Sequence, residues 1–143
     1  MEKSPEQIVQ NFHESTSELK KTIDGIPDEI FDEKPGDDGW SIAQILEHLY
    51  RSEYGLLKLF KGSSKHVTDR TPGKKIPLFE QTFVKSDKKY NAPEQVAPQG
   101  EWEREELCEK FFNNRKLLHQ ILSEGKVNLK ELRLAYEHPF FGP

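Results

Sequence analysis

Apolar side chains recur at helical spacing in three separate tracts, and residues that start or stop helices bound each one. In the first tract Ile8, Phe12, Leu19, Ile23 and Ile26 are three, four or seven apart, so they share one face. Ser4 precedes it as an N-cap, Pro5 suits the first helical position, and Gln7 completes a capping box. Gly25 is expected to end the helix by taking a positive φ, which predicts a helix over residues 5–24.

The second tract follows a polar stretch containing Pro27, Pro35, Gly36 and Gly39. Ser41 and Gln44 form another capping-box pair, with Trp40 and Ile45 at the positions of a hydrophobic staple. Ile42, Ile45, Leu46, Leu49, Leu56, Leu57 and Phe60 continue the stripe up to Gly62, predicting a helix over 41–61.

Residues 62–100 hold no sustained helical period and carry Pro72, Gly73, Pro77, Pro93, Pro98 and Gly100. About ten extended residues cover the roughly 30 Å length of a 20-residue helix. A connection this long can return the chain to the far end, so the second and third helices are expected to run parallel. The third helix opens on Glu101, Glu103, Glu105 and Glu106, negative charge where the helix dipole favours it. It carries Leu107, Phe111, Leu118, Ile121 and Leu122 on one side and ends at Gly125. Beyond it, Asn128 could cap a short helical piece containing Leu129, Leu132 and Tyr136, which Pro139 would stop.

The reading so far is all-α, and 143 residues accommodate one domain, residues 1–143, rather than two. The net charge of −4 and the absence of any long apolar run exclude a membrane-spanning role. The N-terminus lacks the order of a secretory signal and Cys108 has no cysteine to pair with, so a cytoplasmic location is expected. Residues 61–90 hold eight basic against three acidic side chains, a net of +5, interleaved with Phe79, Phe83 and Tyr90. With no recognition-helix signature beside it, this reads as a solvated connection, and nucleic acid is not an expected partner.

Candidate chemistry centres on the second helix. At 100° per residue His48 borders the stripe of Ile45, Leu49 and Leu56, where a neutral imidazole could be a metal ligand, a general base or an ordinary boundary histidine. Glu53 projects from the apolar face between Leu49 and Leu57 and needs a partner there. It could act as a base or orient His48, and an ion pair with Arg115 is the preferred structural reading. Asn114 could line the same pocket as His48 or satisfy a backbone group, and Cys108 reads as a passive thiol without a base at helical spacing. Among His13, His48, His66, His119 and His138 no two share one helix at ligand spacing, and His66 with Asp69 lies in the connection.

Three segments in order, Gly39-Trp40-Ser41-Ile42-Ala43-Gln44-Ile45-Leu46-Glu47-His48-Leu49, Tyr90-Asn91-Ala92-Pro93-Glu94-Gln95-Val96-Ala97-Pro98 and His138-Pro139-Phe140-Phe141-Gly142-Pro143, resemble the DinB superfamily, which includes YfiT-like proteins and bacterial thiol S-transferases. The resemblance implies a four-helix bundle with a long crossover between helices two and three. It also implies that His48 joins two histidines of a last long helix to bind a divalent metal, zinc or nickel. Such a metal leaves an open position for activating a thiol or water nucleophile against an electrophilic small molecule, as a hydrolase or thiol transferase. That helix normally follows the His-Pro…Gly-Pro segment. The expectation here is therefore a bundle whose last long helix is missing from this chain, with His48 the one assignable ligand. The metal site would then be incomplete, and the C-terminal segment, another copy of the chain in a homodimer, or sequence absent here would cover the groove left open. A non-catalytic binding or dimerisation module is the alternative.

Overall fold

The computed structural model describes residues 4–36, 39–58, 60, 64–66, 75–84, 92–100, 102–125 and 132–134. Three long helices dominate: α1 (Pro5–Asp24), α3 (Ile42–Lys58) and α5 (Arg104–Ser123). Between the first two lies the one-turn α2 (Asp28–Phe31). The connection from α3 to α5 contains β1 (Ser64–His66), the short α4 (Ile76–Phe79) and a π-helical turn over Glu80–Val84. A last strand, β2 (Leu132–Leu134), pairs antiparallel with β1, placing Ser64 opposite Leu134 and His66 opposite Leu132.

Both capping boxes form. The Ser4 hydroxyl accepts from the Gln7 amide while the Gln7 side chain accepts from the Ser4 amide. Ser41 and Gln44 repeat the exchange at the start of α3. The staple expected at that start takes another form: Trp40 packs its ring 5.3 Å from that of His48, and Ile45 stays 45% exposed.

The two helix ends differ from one another. Gly125 closes α5 with φ +66°, as a left-handed glycine stop requires. Gly25 instead has φ −82°, which corrects the expectation of a positive φ there. α1 ends because the Ile26 amide bonds to the Ile23 carbonyl and Pro27 cannot continue the helix.

α5 packs against both α3 and α1. Along α3 and the chain leading into α5, Glu47 meets Gln99 and Gly100, Tyr50 meets Trp102, and Glu53 meets Arg115, so partners advance together and the two run parallel. Against α1 the order reverses. Arg104 reaches Ile23, Arg115 reaches Ser15 and Thr16, and His119 lies beside His13, so that pair is antiparallel. The long connection therefore performs the crossover that its length allowed.

The core is built from Ile23, Phe31, Leu46, Leu107 and Phe111. Phe31 is the member the helical stripes do not reveal. It sits in α2, outside any periodic tract, yet is only 1% exposed. Arg104 covers its ring at 4.7 Å while donating to Asp28 and to the Ile23 carbonyl at the end of α1. A cation at that C-terminus is favoured by the helix dipole as well as by the hydrogen bond.

Other boundaries shift modestly. α3 is α-helical to Lys58 and Phe60 is π-helical, while residues 59 and 61 lie outside the described residues. The short helical piece expected around Leu132 is corrected to the strand β2, where edge pairing with β1 satisfies the backbone instead. The flanking parts of that expectation lie outside the described residues, as do the His138–Pro143 motif and most of the basic connection. No helix among the described residues is long and apolar enough to cross a membrane.

Candidate functional site

The capping box at Ser41 sets the phase of α3, and that phase decides where its three chemical side chains point. Leu46 goes into the core, which leaves Glu47 and His48 facing the chain segment that returns from the connection. In that segment a turn closes where the Val96 and Ala97 amides bond to the Pro93 carbonyl. It presents the Val96 carbonyl to His48, whose Nδ1 lies 2.7 Å away. A carbonyl can only accept, so Nδ1 carries a proton, and in the neutral ring Nε2 is the nitrogen with the lone pair. Trp40 buttresses the ring from the other side. His48 is half-buried, as its position at the edge of the stripe predicted.

Glu47 is a site residue that sequence reasoning missed. It is 1% exposed, and its carboxylate accepts from the amides of Gln99 at 2.7 Å and Gly100 at 3.3 Å. Arg51, one turn on, donates to the Gln95 carbonyl. Together Glu47, His48 and Arg51 fasten residues 95–100 along α3. Only the presence of a charged residue on the inner side of the helix could have signalled Glu47, since its partners are backbone groups. An open cleft of about 370 Å³ lies beside it, lined by Glu47, Arg51, Gln99, Gly100, Trp102 and Glu106. His48 is not part of that lining.

Glu53 engages Arg115 in a two-pronged ion pair, Oε1 to Nη2 at 2.6 Å and Oε2 to Nε at 3.0 Å. The same guanidinium donates to Ser15 and Thr16 and lies over the Phe12 ring at 4.3 Å. Burial pushes the Glu53 carboxyl above its ordinary value, outweighing the pull of Arg115. With both oxygens committed to Arg115, Glu53 is neither an orienting partner of His48 nor an open base.

Cys108 is half-buried against the core, and burial raises its thiol pKa more than Arg104 and Lys20 lower it, with Asp24 adding to the rise. It is a passive thiol in this geometry. Asn114 is buried, and its Nδ2 has no hydrogen-bond partner, so that group does not satisfy a backbone carbonyl.

The DinB superfamily model matches residues 11–143, which spans the three long helices from the second turn of α1 onward. The chain belongs to the DinB superfamily. No curated protein matches it. No solved structure matches it either. Membership and the parallel crossover agree with the helical bundle that the sequence motifs imply.

A metal donor set is testable against these residues. His48 fits one position, because a histidine whose Nδ1–H is held by a carbonyl offers a fixed Nε2 to an ion. Among the described residues no group of three His, Cys, Asp or Glu side chains could hold a metal. The two carboxylates of α3 nearest His48 are spent, Glu47 on backbone amides and Glu53 on Arg115. His66 lies on β1, and Asp69 and His138 lie outside the described residues. Around His48 the described residues thus supply one suitable donor and no three-ligand set for a catalytic ion.

Proposed function

We propose that this DinB-superfamily chain carries the ligand-binding histidine of a metal-dependent hydrolase or thiol S-transferase, with His48 Nε2 as the donor. The observation that supports it is the 2.7 Å contact from His48 Nδ1 to the Val96 carbonyl, which fixes both tautomer and ring orientation. The ion would be zinc or nickel, which imidazole suits, and when bound it would lower the pKa of a thiol or water. The chain's own contribution is to hold the imidazole aimed, through Val96 and Trp40. The test is metal analysis of protein purified without chelator, on wild type and His48→Ala. Zinc or nickel lost on substitution supports the reading, and equal content in both proteins overturns it.

A second reading rests on a different observation. Glu47 and Glu53, the acidic side chains of α3, both serve the fold, which suits a binding or dimerisation module that keeps the bundle without chemistry. It predicts that His48→Ala leaves partner binding and self-association unchanged, measured by sedimentation.

A further inference from the structure

His13 and His119 are 106 residues apart on different helices, and no periodicity within either helix connects them. The antiparallel packing of α1 on α5 brings their rings to 5.2 Å between centres, tilted by 43°. Two imidazoles sharing a tetrahedral ion, each nitrogen about 2.0–2.1 Å from the metal, have ring centres about 5 Å apart. The observed separation equals that of a ligand pair, so side-chain rotation alone would bring one nitrogen of each ring onto a shared ion.

We infer that His13 and His119 form a two-histidine site for a borderline-soft divalent cation such as zinc, clipping α1 to α5. Access is open, since His13 is exposed and His119 is half-buried. Competition for the ring nitrogens is weak: the Ser123 hydroxyl lies 3.4 Å from His119 Nε2, at the limit of a hydrogen bond. Arg115 lies one turn before His119 on α5, and its charge is matched by Glu53. Imidazole donors select zinc, nickel or copper over magnesium and calcium, which prefer oxygen. Water fills the remaining positions, so the ion would stay exchangeable. Because this pair lies on α1 and α5 and His48 lies on α3, the inference is independent of the function proposed above.

Zinc titration of the full chain, with calorimetry and thermal melting in parallel, tests it on wild type, His13→Gln, His119→Gln and His48→Gln. The expected result is zinc uptake with a raised melting midpoint in wild type and His48→Gln. In the His48→Gln background, each of the other two substitutions should weaken that uptake about tenfold or more and abolish the midpoint shift. His13 is exposed, so its replacement leaves the packed helices intact and separates a lost ligand from a lost fold. Zinc stabilisation of His48→Gln that survives the added His13→Gln, or a His48→Gln protein that takes up no zinc, overturns the inference.

Discussion

Two carboxylates six residues apart on α3 solve the same problem in opposite ways. Glu47 and Glu53 both leave water, and a buried carboxylate needs hydrogen bonds or a counter-charge. Glu47 takes the amides of Gln99 and Gly100, so it fastens an irregular segment to a helix. Glu53 takes Arg115, which also binds Ser15 and Thr16, so it joins all three long helices. The first carboxylate positions the neighbourhood of His48; the second holds the bundle together. A charge satisfied by neutral amides leaves no counter-ion stranded when it is removed, whereas a charge satisfied by a guanidinium does.

The largest break in that comparison is Arg115→Ala. It leaves Glu53 buried without its counter-charge, and a loss of about 3–5 kcal/mol is expected by denaturant unfolding. Next comes Glu47→Ala, which removes two part-buried hydrogen bonds from the amides of Gln99 and Gly100. A loss of about 2–3 kcal/mol is expected, with protease cleavage in residues 95–100 rising ahead of global unfolding. Equal losses for the two variants would remove the distinction between loop fastening and helix joining. Ser41→Ala removes the cap that phases α3 and should cost about 1 kcal/mol by the same measurement.

The smallest effect is a slope. With its carboxyl raised, Glu53 binds a proton more readily in the folded chain than in the unfolded one. Its contribution to stability therefore declines as pH rises from the ordinary value of 4.5 through the raised one. In Glu53→Gln that part of the decline should vanish from pH-dependent denaturation curves. A slope unchanged by the substitution would mean that Arg115 balances burial, and a decline that steepens would mean that Arg115 outweighs it.

Legibility followed the range of the interaction. The three helices and both capping boxes were readable because caps and stripes act within a few residues. The Glu53–Arg115 pair was readable as well, since each residue stands on or beside an apolar stripe and opposite charges there have few other options. Phe31 and Glu47 were not. Phe31 sits on a single turn too short to show a period, and Glu47 is satisfied by backbone amides, which every segment of chain possesses. His48 could be placed at the edge of the core from spacing, but its tautomer depended on which carbonyl would arrive opposite it.

Sequence alone determined the helices, their apolar faces, the crossover that the long connection permits and, through its motifs, the family. Those properties come from local propensity, 3.6-residue periodicity and chain length. The tertiary structure alone decided what those faces bring together: Val96 against His48, Gln99 and Gly100 against Glu47, and His13 against His119. Contacts across 48, 52 or 106 residues depend on how helices are directed and phased in space, and no spacing along the chain encodes that.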